Sequence, residues 1–205
     1  EKWWPDMEGL FDEYIPAVTA LAVSTYSNSE RMPPAISPEE KARFRDCLEL
    51  MNPATVELGI HGYNHLPLAL EGQASFAEFD GSDGWLTQSD METGLRYFRG
   101  YMESVLPDTP YYSYVPPMNR MSPEGKAALH SVFDDIDNLA GLYSGVVHGV
   151  LLQETGRDPD IEGLWALPRF SSGYSQTRED ELYIYNHLAA EGVFSHFIHP
   201  DDPMD

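Results

Sequence analysis

The sequence has 205 residues and a mass of 23.1 kDa, enough for one domain with a full core. Its 12 Lys and Arg stand against 34 Asp and Glu, a net charge of −22. That balance argues against nucleic acid, which needs a basic surface, and against insertion into an anionic membrane. An aromatic content of 12% argues against disorder. No apolar run approaches the roughly 18 residues of a membrane span.

In chain order, residues 5–15 read as a helix, with a first-turn Pro, acidic residues, and apolar positions at Leu10, Phe11, Tyr14 and Ile15. Residues 18–26 form a short apolar strand. Ser37, Pro38 and Glu40 make a capping box that opens a helix over 38–51. Cys47, the only cysteine, is expected to be a small buried residue of that helix. Residues 55–60 read as a strand, followed by a Gly-rich acidic loop. Residues 89–105 form a helix that ends before Pro107. The aromatic run 109–117 reads as a strand stopped by Pro116. Ser122 and Pro123 begin a short helix. Strands are expected within 138–145 and 163–170, a helix over 177–191, and a last strand over 192–199, stopped by Pro200. The alternation of helix and strand predicts an α/β protein with a mainly parallel sheet or barrel, one domain over residues 1–205.

His61 and His65 lie four residues apart at the end of the strand over 55–60. On one helical turn that spacing places both imidazoles on the same face, near enough to share an ion. The ends of parallel strands are where α/β proteins build their sites. The same spacing also suits a hydrogen-bonded structural pair. His196 and His199 fall on opposite faces of an ideal strand, with His196 expected in the packed shell. His130, His148 and His187 have no motif around them.

The segment VELGIHGYNH resembles the second motif of NodB-type polysaccharide deacetylases, in which a strand leads into a His–x–x–x–His pair. The run SYVPPMNRMSPEG is similar to the third motif of that family, with Pro116 and Pro117 matching. Val115 stands where the family has Arg, and Met118 where it has Tyr. FSHFIH is similar to the fifth motif, with His199 on the matching position. VPPMNRMSPEG and FSHFIHPDD favour the divergent branch that includes the Pel and galactosaminogalactan deacetylases.

The resemblance implies an incomplete NodB-type (β/α) barrel whose first strand, with its Asp pair, is expected upstream of Glu1. It implies hydrolysis of an N- or O-acetyl group on a polysaccharide, extracellular or periplasmic. It implies a divalent metal, zinc first among candidates, held by His61 and His65, with His199 as general acid. Met118 and Asn119 would face the substrate, Met118 through its backbone N–H. Tyr114 and Trp165 would stack on sugar rings, and Arg169 would replace the charge lost at Val115. Gly62, where the family has Ser or Thr, is expected to loosen the loop. Asp201 or Asp202 would orient His199. Without the upstream Asp pair, this stretch by itself is expected to be inactive. Two other readings remain open. One is a non-catalytic carbohydrate-binding relative. The other is a glycoside hydrolase barrel, for which no pair of flanking carboxylates stands out.

Overall fold

The computed structural model describes residues 18–23, 36–51, 54, 56–73, 84–140, 155–168, 171–173 and 177–197. The expected helix over 5–15 lies outside them. Within them, the elements are β1 (Val18–Ala22), α1 (Pro38–Glu49), β2 (Val56–Ile60), α2 (Gln88–Val105), β3 (Ser113–Tyr114), α3 (Pro123–Val132) and β4 (Asn138–Ala140). Then come β5 (Gly156–Arg157), β6 (Trp165–Leu167), β7 (Ser171–Ser172), α4 (Arg178–Glu191) and β8 (His196–Phe197).

Three of the helices start on the same device. Ser37, Thr87 and Thr177 each accept a hydrogen bond from the backbone three residues on, while Glu40, Asp90 and Asp180 reach back to the cap's own N–H. This satisfies N–H groups that the first turn would otherwise leave without a partner. Ser122 caps α3 through the Gly125 N–H, with Pro123 at the first helical position.

The sheet runs β1-β2-β3-β4-β6-β5, parallel throughout except for the short β5 strand against β6. Three of the connections between these five parallel strands run through helices, the α/β arrangement that the alternating pattern predicts. Among the described residues the sheet is open, and β7 and β8 form a separate parallel pair.

The two faces of the sheet differ. Ala22, Ile60, Tyr114 and Leu139 lie on one face and join the core with Met91, Leu95, Phe98 and Met102 of α2 and Leu129 of α3. On the other face, Ser113, Asn138 and Trp165 are register neighbours across β3, β4 and β6. Ser113 Oγ donates to Glu57 Oε1 of β2 at 2.8 Å, and Asn138 Nδ2 reaches Ser113 Oγ at 3.5 Å. A polar row therefore crosses the face turned away from the helices.

Some expected elements are shorter than the sequence suggests. The aromatic run over 109–117 pairs only at Ser113–Tyr114, because Pro116 and Pro117 have no N–H to extend the ladder. Cys47 is exposed, so its expected burial is corrected: α1 packs through Leu48 and Phe44 instead.

A second tie fixes the start of α3. Leu68 forms a bridge with Met121, and its carbonyl accepts the Ser122 N–H at 2.8 Å. A methyl group on Gly125 would lie 1.8 Å from that same carbonyl oxygen. On its other side, buried Lys126 holds Asp158 at 3.0 Å and Asp160 at 2.7 Å, joining α3 to the connection between β5 and β6.

Candidate functional site

β2 delivers His61 to the C-terminal end of the parallel sheet. The ladder runs one residue past each strand: His61 N–H donates to Ala22 O at 2.8 Å, and Val115 N–H to Ile60 O at 2.9 Å. His61 Nδ1 lies 2.8 Å from Val115 O. A carbonyl oxygen can only accept, so Nδ1 carries the proton and, in the neutral ring, Nε2 carries the lone pair.

The chain then turns sharply. Gly62, Asn64 and His65 all have left-handed backbone, at φ 89°, 55° and 52°. The two histidines are therefore not on one helical turn, as the spacing suggested. A tight loop folds His65 back toward His61. Their ring centroids are 5.0 Å apart, with planes crossing at 63°. Left-handed conformation in non-glycine residues carries strain, and a surrounding structure must hold it. Here Asn64 and Tyr63 are fully buried and Leu66 N–H bonds back to Tyr63 O.

The second wall is the turn Pro117–Asn119, in which Met118 and Asn119 also adopt left-handed backbone, at φ 55° and 53°. The two loops touch. A methyl group on Gly62 would lie 3.1 Å from Pro117 Cγ and 3.3 Å from the Tyr114 hydroxyl. Gly62 is buried against this wall, so it tightens the corner rather than loosening it. Its positive φ and the proximity of Pro117 explain why Ser or Thr is not accommodated here.

The other expected site residues separate. Tyr114, expected against sugar rings, is instead wholly buried on the helix side of the sheet. Burial alone drives its phenol pKa above the ordinary value, and its hydroxyl has no hydrogen-bond partner among the described residues. Trp165 is 41% exposed at the end of the polar row, with the Arg157 guanidinium 5.2 Å from its ring centre. Met118 and Asn119 are half-buried at the rim. His199, Arg169, Asp201 and Asp202 lie outside the described residues. His196 is exposed rather than packed in the shell, and its Nε2 donates to Gly173 O at 2.9 Å.

Arg120 is a corner residue that the sequence motif did not single out. It follows the Pro117–Asn119 turn, is buried, and burial pulls its guanidinium pKa down. Its only sequence signal was its place after the two prolines.

The pair fits a metal in part. An imidazole whose Nδ1–H is held by a backbone carbonyl is oriented as metal-binding histidines commonly are. Two rings at this separation can turn nitrogens to a common point. Among the described residues no group of three His, Cys, Asp or Glu gathers closely enough to hold an ion, so a third ligand is not among them. No described helix is long and apolar enough to cross a membrane.

A family model described as "Uncharacterised protein conserved in bacteria (DUF2194)" matches residues 1–205. No curated protein matches the chain. Among solved structures, a candidate polysaccharide deacetylase from Mycobacterium smegmatis is similar at a TM-score of 0.48 and 15% identity, over 97% of this chain and 63% of that one. A 4-alpha-glucanotransferase from Thermococcus litoralis is similar at a TM-score of 0.46 and 10% identity, over 96% of this chain and 28% of that one. The chain spans less than two thirds of the length of either.

Proposed function

The chain belongs to the DUF2194 family, and from the geometry of its paired histidines we propose that it is the metal-binding part of a polysaccharide deacetylase. The observation that carries this reading is the corner itself. Two imidazoles lie 5.0 Å apart at the C-terminal end of a parallel strand, one of them fixed through Nδ1 to Val115 O. The motif resemblance supplies the reaction class, cleavage of an N- or O-acetyl group, and an extracellular or periplasmic setting. The fold on this reading is a NodB-type (β/α) barrel, with the polar row of Glu57, Ser113, Asn138 and Trp165 turned inward.

His61 and His65 would hold a divalent ion, zinc first among candidates, because imidazole suits it. Such an ion supplies Lewis-acid polarisation of an acetyl carbonyl. The Val115 carbonyl keeps His61 in the tautomer that presents Nε2. The Met118 backbone, set by its left-handed turn, would present an N–H toward the developing oxyanion. His199 would protonate the leaving amine or alcohol. Asn119, Trp165 and Arg169 would contact the polymer; Trp165 is already exposed for a sugar ring to cover.

The same corner would serve a non-catalytic sugar-binding relative, and one set of measurements separates the two. Titrating zinc into the chain by calorimetry should give one site per molecule, weakened at least about tenfold by His61→Ala and by His65→Ala. Acetate release from an acetylated polysaccharide should then appear when the chain is extended upstream, and fall with the same substitutions. Zinc affinity unaffected by both substitutions would overturn the metal site. Zinc binding without acetate release in any extended form would favour the binding protein.

A further inference from the structure

Tyr114 stands against the histidine corner from the core side. Its backbone pairs with Ile60 in the sheet, its ring joins the core with Ile60 and Leu139, and its surface is wholly covered. The hydroxyl at the end of that ring has no hydrogen-bond partner among the described residues. Burying a hydroxyl without a partner is unfavourable, and a phenylalanine would fill the same core without that penalty. The oxygen calls for a partner that the arrangement described here does not supply.

The hydroxyl lies against the loop that carries both imidazoles. A methyl group on Gly62 would sit 3.3 Å from it. Gly62 has φ 89° and no side chain, so its peptide can rotate where another residue would be blocked. Its carbonyl accepts no hydrogen bond among the described residues. The middle of the loop is fixed by contrast. The Tyr63 ring packs on Trp85 and Tyr97, with centroids at 6.3 and 5.5 Å, Asn64 is fully buried, and Leu66 N–H is tied to Tyr63 O. Beyond that pin, Asn64 and His65 hold left-handed backbone at φ 55° and 52°, a conformation that stores strain. A loop pinned at its centre, strained after the pin and mobile in one glycine peptide before it, has a second arrangement open to it.

We propose that Tyr114 is a positioning residue for the histidine pair: when His61 and His65 close on a divalent ion, the Gly62 peptide turns and its carbonyl accepts a hydrogen bond from the Tyr114 hydroxyl. His61 is already held through Nδ1 by Val115 O at 2.8 Å, so the adjustment falls on His65 and reaches it through the loop. A hydrogen bond made only in the closed arrangement shifts the balance toward that arrangement. The hydroxyl touches neither the ion nor a substrate. The inference rests on the reading of His61 and His65 as metal ligands, and adds to it the group that sets their approach.

The test compares the whole chain with Tyr114→Phe and Tyr63→Phe, by zinc calorimetry and by thermal melts without zinc. Tyr63→Phe is the control, since it removes another buried hydroxyl without a partner among the described residues, on the ring that packs toward Tyr97 and Trp85. Without zinc, Tyr114→Phe should leave Tm unchanged or higher, because it deletes an unsatisfied group. Its zinc affinity should fall about threefold to tenfold, the factor that one net hydrogen bond carries. Tyr63→Phe should bind zinc as the wild type does. With 13C on the ring carbon that bears the hydroxyl, the Tyr114 signal should move as zinc binds while the Tyr63 signal stays. Equal zinc affinity in Tyr114→Phe and the wild type would overturn the proposal. So would an unmoved Tyr114 signal, or a lower Tm of Tyr114→Phe without zinc, which would give the hydroxyl a purely structural partner. A wild type that binds no zinc would overturn the metal reading itself, and this inference with it; the wild-type titration alone separates that failure from the others.

Discussion

At the scale of single residues, Gly62 sets how closely the histidine loop approaches the proline turn. With φ at 89° and Pro117 at 3.1 Å from an added methyl, Gly62→Ala has to pay the left-handed penalty and displace the turn. The expected loss is about 1–2 kcal/mol from backbone strain alone, read as a lower urea midpoint. Zinc affinity should fall with it, because the same loop positions His65. An unchanged midpoint would mean that the turn moves aside freely. Lys126 gives a second case. Burial pulls its ammonium pKa down, but the hydrogen bonds it donates to Asp160 and Asp158, with their charges, outweigh that and hold it above the usual 10.5. Lys126→Ala strands the buried Asp158 carboxylate and should cost about 3–5 kcal/mol. The sign in pH follows. The raised pKa stabilises the fold fully below the unfolded value of about 10.4. That stability is lost as pH rises through the folded value, so urea midpoints at pH 9 and pH 11 should differ in the wild type. The gap should shrink in the variant.

At the scale of elements, the helices stand on their caps. Thr87→Ala removes the acceptor for the Asp90 N–H and the hydroxyl that donates to Asp90, leaving that carboxylate only the backbone N–H of residue 87; about 1 kcal/mol of stability should go with the change. Bonds from Ser37 and Thr177 hold the Glu40 and Asp180 carboxyl pKa values below their ordinary 4.5 and 3.8. A depressed carboxylate stabilises above its unfolded pKa and loses that contribution as pH falls through the folded value. The first turns of α1 and α4 should therefore lose amide-exchange protection as pH falls below the ordinary carboxylate range, before the core does. The same chemistry explains what could be read in advance. Ser37, Pro38 and Glu40 announce a helix start in any context, and so do Ser122 and Pro123, because capping is local. The strand ends were less legible. Pairing at Ser113–Tyr114 stops where two prolines withdraw their N–H groups, and the Gly156–Arg157 strand exists only because β6 lies beside it. Of the site, the His61 and His65 pair was visible in spacing, but for the wrong geometric reason: a left-handed loop, not a helix, brings them together. The burial of Tyr114 was not visible, since alternation alone does not say which face of β3 meets the helices. Arg120 was marked only by its place after the two prolines, which says nothing of its burial.

At the scale of the whole molecule, a net charge of −22 on 205 residues sets the conditions of folding. Three lysines and nine arginines leave most carboxylates without an opposite charge nearby. Self-repulsion of that size destabilises the folded state at low ionic strength, where the screening length is about 30 Å at 0.01 M against 3 Å at 1 M. Raising NaCl from 0.01 to 1 M should therefore raise Tm, and most of the gain should arrive below about 0.15 M, where the screening length has dropped to about 8 Å. A flat Tm would show that the carboxylates are too far apart to repel, or are matched by cations outside the described residues.

The contact between Gly125 and the Leu68 carbonyl bears on how this sequence can drift through generations. A methyl group there would lie 1.8 Å from an oxygen that already holds the Ser122 N–H. Neither neighbour can yield without releasing both the start of α3 and the end of the histidine loop. The solvent-facing acidic positions of α4 have no such neighbour. In a library of random variants selected only for a folded chain, position 125 should return glycine and nothing else. Glu179 and Glu181, on the first turn of that helix, should tolerate most of the alphabet. The chain would then be free to change its charge over time while this single hydrogen atom stays fixed.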